Sequence, residues 1–172
     1  RLTQKLLTLT KLDSSVEEER EILDAAPVVR KVVRMLLPLA RLRGIGIDTT
    51  FEPDCSVMTV EDDLYQIVFN LTENAIKYNR QDGWVGVSVR RAGDQVELRV
   101  EDSGAGIPPE SMEHIFERFY RVDKARSRAA GGAGLGLSIV KHAVQYHHGD
   151  IRLTSKPGEG TVIRITFPAT AR

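Results

Sequence analysis

Apolar residues near the start of the chain follow a helical period. Leucines occur at positions 2, 6, 7, 9 and 12. Their spacing, close to about 3.5 residues, is typical of a helix that packs on partner helices. Two serines and the acidic run 17–19 predict a hinge after it. We expect a short strand over 21–24 and then a helix that begins near Pro27 and ends near Arg43.

The central part of the chain alternates between strand and helix patterns. Alternation predicts a strand over 45–51, followed by a long helix that an acid near Asp62 caps and that ends near Asn79. The buried face of this helix is predicted to carry Leu64, Ile67, Val68, Leu71 and Ala75. Apolar residues then alternate with polar ones over 85–89 and 96–100, which predicts a half-buried hairpin.

The last part of the chain is predicted to hold two more helices and a second hairpin. We expect a short helix over 114–120, a helix over 137–147 and a hairpin that turns at 157–160. Helices combined with hairpin and crossover strands predict an α+β fold. The expected architecture is a two-layer sandwich, with one sheet and its helices on one face.

Composition narrows the functional classes. The 172 residues carry 24 Lys+Arg and 24 Asp+Glu, which disfavours a nucleic-acid partner because a phosphate-backbone binder usually has a basic excess. The single cysteine, Cys55, excludes an internal disulfide. No run approaches the roughly 18 apolar residues of a membrane span, and the start at Arg1 suggests a piece of a longer protein. We expect His142, His147 and His148 to be surface histidines rather than metal ligands.

Polar residues form a second face on the long central helix. Asn70, Asn74 and Lys77 recur at i, i+4 and i+7, so they stack on one side. A solvated flank is one interpretation, but asparagine is a poor residue for a helix interior. Amide oxygens suit Mg²⁺, and a lysine ammonium suits a phosphate. The alternative interpretation is therefore a site for magnesium-bound phosphates.

An acidic turn and a glycine-rich stretch follow in the sequence. Asp102 ends a strand, and its carboxylate suits the exocyclic amine of adenine, while Gly104 and Gly106 let backbone approach a ring. The glycines of 131–136 directly precede a helix, where free N–H groups can receive phosphates. This stretch is not a P-loop, because Leu137 stands where that motif has lysine. An ordinary turn and a flexible loop are the alternatives.

Taken in order, four segments resemble the N, G1, F and G2 boxes of sensor histidine kinases. They are residues 70–79, 102–108, 115–121 and 131–137. The resemblance spans about residues 20–168. It implies the Bergerat ATP-binding fold of gyrase-type and chaperone ATPases, with a mixed, mostly antiparallel five-stranded sheet and three main helices. It also implies protein-histidine kinase activity with ATP and Mg²⁺.

The resemblance assigns roles to individual residues. Asn70 and Asn74 would hold Mg²⁺ and phosphates, Asn70 and Lys77 would be catalytic, and Tyr78 would line the phosphate and sugar region. Asp102 would recognise adenine. The further nucleotide contacts that it implies are Gly104, Gly106, Ile107, Phe119, Arg126, Arg128, Gly132, Gly134, Leu135, Gly136 and Leu137.

The resemblance also implies an organisation and partners. Residues 1–15 resemble the end of a dimerisation helix and its hinge, and residues 16–172 resemble the ATP-binding catalytic domain. None of the four histidines lies in the N-terminal segment, so the substrate histidine is expected on a dimerisation domain of the same protein. The family implies a response regulator downstream and a homodimeric, membrane-anchored parent with this part in the cytoplasm. The isolated piece is compatible with a monomer.

Two other functions stay open on sequence alone. Related ATPases that hydrolyse with water typically place a glutamate at the position of Asn70. Glu73 is the only acid nearby, and it lies roughly 100° around the helix from Asn74. Transfer to a neutral imidazole needs no strong base, which favours the kinase. A non-enzymatic nucleotide-binding module is the third hypothesis, and the intact motif residues disfavour it.

Overall fold

The computed structural model describes residues 20–112, 114–117 and 136–170. Within these ranges there are three α-helices: α1 (Ala25–Leu42), α2 (Glu61–Lys77) and α3 (Gly136–Tyr146). The strands are β1 (Glu21–Asp24), β2 (Gly46–Phe51), β3 (Ser56–Thr59), β4 (Trp84–Ala92), β5 (Gln95–Asp102), β6 (Asp150–Lys156) and β7 (Gly160–Pro168). A short 3-10 helix covers Pro109–Ser111.

The main sheet has five strands in the order β2-β4-β5-β7-β6. The β2–β4 pair is parallel and the other three pairs are antiparallel. This confirms the predicted mixed, mostly antiparallel sheet and both predicted hairpins. In the register, Asp102 at the end of β5 lies opposite Val85 and Thr161.

The core lies between the inner face of the sheet and the helices. Every second residue is buried over 85–89 in β4 and over 96–100 in β5, and the predicted apolar face of α2 is buried as well. The buried residues of α2 include all five predicted ones, Leu64, Ile67, Val68, Leu71 and Ala75. Burying large aliphatic side chains contributes about 1.5–3 kcal/mol each, so this layer holds the polar face of α2 in a fixed orientation.

A second, two-stranded sheet was not predicted. Strand β3 pairs antiparallel with β1, so that Ile22 lies opposite Met58. Strand β3 has four residues, too few for its period to stand out, and its partner is distant in sequence. The pairing brings the start of α1 against the loop before β3, where Ala25 N–H donates to the Cys55 carbonyl at 3.0 Å.

The predictions of an acidic cap on α2 and of a helix over residues 114–117 are wrong. Helix α2 begins after Val60, which makes no side-chain cap, and Asp62 lies inside the first turn with Glu61 and Asp63. Acids there interact favourably with the helix dipole without capping it. The described part of the predicted short helix, residues 114–117, forms turns closed by short-range hydrogen bonds, and residues 118–120 lie outside the described ranges.

The prediction of surface histidines is wrong for His147. Its side chain is fully buried, and its Nε2 lies 2.8 Å from Asp63 Oδ2. The contact joins the end of α3 to the first turn of α2, whereas His148 is exposed. Among the described residues, no helix is long and apolar enough to cross a membrane.

Candidate functional site

The polar face of α2 contains a buried amide with no partner. Asn70 is 1% exposed, and neither its Oδ1 nor its Nδ2 has a hydrogen-bond partner among the described residues. Helical periodicity fixes this orientation because Ile67, Leu71 and Ala75 occupy the core-facing side. Buried polar groups are nearly always hydrogen-bonded, so an unpaired pair of amide atoms indicates a place for a ligand.

The next turn of α2 carries the two other predicted residues. Asn74 is half-buried one turn after Asn70. Lys77 Nζ lies 3.6 Å from Glu73 Oε1, and both side chains are largely buried, at 12% and 17% exposure. The structure therefore pairs Lys77 with an acid on its own helix, at the four-residue spacing that is common for helical ion pairs.

The end of α2 is joined to the start of β4 by a hydrogen-bonded network. Asn79 Nδ2 donates to the Trp84 carbonyl at 2.9 Å, and its Oδ1 accepts from the Ser103 hydroxyl at 3.1 Å. The Ser103 hydroxyl also accepts from Trp84 N–H at 2.8 Å. Because Ser103 follows Asp102 directly, this network fixes the acidic turn next to the end of α2.

Asp102 is the acid at the end of β5, and it is half-buried. Its Oδ1 accepts from Gly104 N–H at 2.8 Å, and the carboxylate also accepts from the backbone of Thr161. Burial raises the pKa of Asp102 to about 6, against the lowering effect of these two hydrogen bonds, and nearby Glu101 raises it further. A carboxylate held this way is ionised at neutral pH but poorly hydrated, so a donor from a ligand would interact with it strongly.

Three glycines let backbone segments meet around Asp102. A Cβ on Gly104 would lie 2.7 Å from the Tyr78 carbonyl oxygen. Gly106 (φ +78°) packs on the Lys156 carbonyl and Gly160 (φ +90°) on the Asp102 carbonyl, both too closely for any Cβ. Gly104 and Gly106 are therefore required by contacts within the protein, and the predicted approach to a nucleotide ring stays a prediction.

Most of the glycine-rich part of the predicted site lies outside the described residues. Phe119, Arg126, Arg128, Gly132, Gly134 and Leu135 lie outside the described residues. Gly136 is the first residue of α3, and Leu137 is half-buried against the core. The structure thus places Asn70, Asn74 and Lys77 on α2 and brings Tyr78, directly after this helix, against Gly104 of the acidic turn, with α3 alongside α2.

Sequence reasoning missed the residues that support the acidic turn from the last hairpin. Ile107 N–H donates to Ser155 Oγ at 2.7 Å, and Gly158 N–H donates to the Ala105 carbonyl at 2.7 Å. The pairing of β5 with β7 brings these groups together from about fifty residues away. No short-range sequence pattern indicates a contact between segments this far apart. The Pro-Gly-Glu-Gly turn was predicted, but its contact with the acidic turn was not.

Comparisons with known proteins define the class. Residues 59–171 match the family model described as histidine kinase-, DNA gyrase B- and HSP90-like ATPase. The chain is 41% identical over 146 residues to the sensor-like histidine kinase SenX3 of Mycobacterium tuberculosis, covering 85% of this chain and 36% of that protein. It is 38% identical over 176 residues to the sensor protein kinase WalK of Staphylococcus aureus, covering 98% and 41%.

Solved structures agree with this class. The mycobacterial sensor histidine kinase MprB matches with a TM-score of 0.75 at 31% identity, covering 89% of this chain and 99% of that one. Full-length ShkA in complex with AMPPNP matches with a TM-score of 0.84 at 28% identity, covering 99% and 36%.

The chain belongs to the histidine kinase-, DNA gyrase B- and HSP90-like ATPase family. Within that family it is an ATP-binding catalytic domain of the sensor histidine kinase type, as the resemblance implied. It spans 36% of SenX3 and 41% of WalK, so it corresponds to less than half of these curated relatives.

Proposed function

We propose that this chain binds MgATP between the polar face of α2 and the acidic turn and transfers the γ-phosphoryl group to a histidine on a dimerisation domain. The observation that carries the proposal is the buried, unpartnered amide of Asn70. An unsatisfied buried polar group costs about 1–3 kcal/mol, and a ligand that satisfies it accounts for its position. The sensor kinases among the relatives support the type of reaction.

The donor atoms of α2 fit magnesium and phosphate. Asn70 and Asn74 offer amide oxygens, which are hard ligands, and Mg²⁺ completes its shell with water and phosphate oxygens. When bound, Mg²⁺ neutralises charge on the phosphates during transfer. Lys77 adds a cation to the same face, and its ion pair with Glu73 holds the ammonium in place.

Phosphoryl transfer in this site mainly needs positioning and charge neutralisation. A neutral imidazole nitrogen of the acceptor histidine forms the new N–P bond while the bond to the β-phosphate oxygen breaks, and ADP leaves. No strong base is required. Water-hydrolysing relatives have a glutamate where this chain has Asn70, and Glu73, the only acid nearby, is paired with Lys77, which supports transfer over hydrolysis.

Recognition of the base is assigned to Asp102. Above its pKa of about 6 the carboxylate only accepts hydrogen bonds, so it pairs with the exocyclic amine of adenine. Guanine presents an oxygen at that position, and two acceptors repel each other. The site is therefore expected to bind ATP in preference to GTP.

The remaining parts of the proposal involve segments outside the described ranges. Residues 1–15 supply the end of the dimerisation helix and hinge, and 16–172 the catalytic domain. The further nucleotide contacts would come from Phe119, Arg126, Arg128, Gly132, Gly134 and Leu135. The parent is proposed to be a homodimer, anchored in a membrane with this domain in the cytoplasm, that passes the phosphoryl group to a response regulator.

The test mixes this chain with γ-labelled ATP and a separate fragment that carries the parent's dimerisation domain. We expect label on the fragment, with Asn70→Ala and Asn74→Ala each lowering the rate by about a hundredfold or more, as loss of a transition-state contact does. Asp62→Ala, an exposed change on the same helix, is the control. Steady phosphate release into water with no labelled fragment would identify a hydrolysing ATPase instead. Unchanged magnesium-dependent transfer by Asn74→Ala would remove the metal assignment.

A further inference from the structure

Ser155, near the end of β6, lies at the centre of a hydrogen-bond junction. Its hydroxyl oxygen accepts from Ile107 N–H at 2.7 Å and lies 2.9 Å from both the Gly160 carbonyl oxygen and Thr161 Oγ1. A serine hydroxyl has one donor and two acceptor positions. A donated bond to Gly160 and accepted bonds from Ile107 and Thr161 use all three.

The junction connects two turns that both contact Asp102. Ile107 belongs to the acidic turn that follows Asp102, whereas Gly160 and Thr161 begin β7. Thr161 also donates its backbone N–H to the Asp102 carboxylate. A movement at Ser155 is therefore transmitted to the carboxylate from two directions, through the acidic turn and through the first residues of β7.

We propose that Ser155 is a positioning residue for base recognition, which sets where the Asp102 carboxylate stands by holding Ile107 and Thr161. This inference rests on the proposed function, because it takes Asp102 as the group that recognises adenine. Ser155 itself touches no reacting atom. It acts on selectivity for the base, while the α2 residues act on the phosphates.

Loss of the hydroxyl should separate these two functions. Ser155→Ala leaves Ile107 N–H and the Gly160 carbonyl without their partner, so the acidic turn loses a fixed position. We expect the dissociation constant for MgATP to rise about tenfold, because a change of this size corresponds to the loss of one hydrogen bond in the site. The dissociation constant for MgGTP, which gains nothing from Asp102, should change little, and so should the transfer rate at saturating ATP.

The experiment measures MgATP and MgGTP binding by calorimetry on the whole chain, at a temperature where circular dichroism shows each variant fully folded. Thr154→Ala, an exposed hydroxyl loss on the same strand, is the matched control. Thr161→Val removes one of the three contacts but keeps the backbone N–H to Asp102, and it decides the question if Ser155→Ala does not fold.

Each outcome has a distinct meaning. The positioning role is supported if the GTP dissociation constant divided by the ATP dissociation constant is smaller in Ser155→Ala or Thr161→Val than in the wild type, while Thr154→Ala keeps the wild-type ratio. An unchanged ratio in the folded variants, or an equal loss of affinity for both nucleotides, overturns it. A wild-type chain with no preference for ATP contradicts the assignment of Asp102 in the proposed function, which is a separate failure.

Discussion

The two halves of the site differ in how well the protein satisfies its own polar groups. Around Asp102, the carboxylate, the Ser103 hydroxyl and the Ser155 hydroxyl all have partners in the fold. On α2, the Asn70 amide is buried with none among the described residues. The half proposed to bind the base is thus organised before a ligand arrives, whereas the half proposed to bind phosphates is completed by the ligand.

This difference has an energetic consequence. A satisfied network makes a positive contribution to the free energy of unfolding, and a buried amide without partners subtracts from it. The fold therefore tolerates a cost at Asn70, which is common where a residue serves binding rather than stability. Removing a hydrogen bond or a close backbone contact from the organised half should lower the free energy of unfolding, whereas replacing the Asn70 amide should raise it.

The largest expected effect is in the organised half. Gly160→Ala places a Cβ against the Asp102 carbonyl at φ +90°, and we expect it to lower the free energy of unfolding by about 3 kcal/mol. Gly158→Ala is the matched control in the same turn, because it has positive φ but nothing within 4 Å of the added carbon. Urea unfolding distinguishes them. Equal losses in the two variants would contradict the close packing beneath Asp102.

Asp102→Asn should have a pH-dependent effect. The folded pKa of about 6 lies above the ordinary value of 3.8, so the folded state binds the proton more tightly than the unfolded state. This stabilisation is complete below pH 3.8 and is lost as the pH rises through 6. The asparagine variant is therefore expected to be more stable than the wild type above pH 6 by about 2 kcal/mol, and the advantage should fade toward pH 4.

Thermal or urea unfolding over pH 4–8 measures this prediction, with Glu97→Gln as the control, because this acid of the same strand does not contribute to the raised pKa of Asp102. A stability difference that stays constant with pH would show that burial does not raise the pKa of Asp102. The same variant should lose its preference for ATP over GTP.

The smallest effect compares two asparagines. Asn70→Leu removes the unpartnered amide and should raise the free energy of unfolding by about 1 kcal/mol while nucleotide-dependent activity is lost. Asn79→Leu breaks hydrogen bonds to Trp84 and Ser103 and should lower the free energy of unfolding by about 1–2 kcal/mol. If both variants lose stability equally, the Asn70 amide has a partner in the folded protein and the comparison fails.

Periodicity sufficed for the parts of this molecule where neighbours in sequence are neighbours in space. The apolar face of α2, the polar stripe on its other side and the β4–β5 hairpin all follow from local spacing. It did not suffice for contacts between distant segments. The burial of His147 against Asp63 and the contact of Ser155 with Ile107 depend on how α3 and β6 pack, and no local pattern specifies that.

In the candidate site, too, the residue types were predictable from local sequence, whereas the contacts between distant segments were not. Asn70 and Asn74 were predicted because asparagine is unusual in a helix interior, and Asp102 because a carboxylate at that strand end suits the exocyclic amine of adenine. The pairing of Lys77 with Glu73 follows the i, i+4 rule, but burial of both groups depends on tertiary packing. The functional assignment came from the order of four motifs, each of them weak when taken alone.

The most direct test of the account is calorimetric titration of the whole chain with ATP, with and without Mg²⁺, beside Asn70→Leu. We predict binding that Mg²⁺ strengthens in the wild type, and no such strengthening in the folded Asn70→Leu variant. No heat at millimolar ATP, or the same response to Mg²⁺ in both proteins, would contradict the claim that the buried amide of α2 awaits magnesium and phosphate.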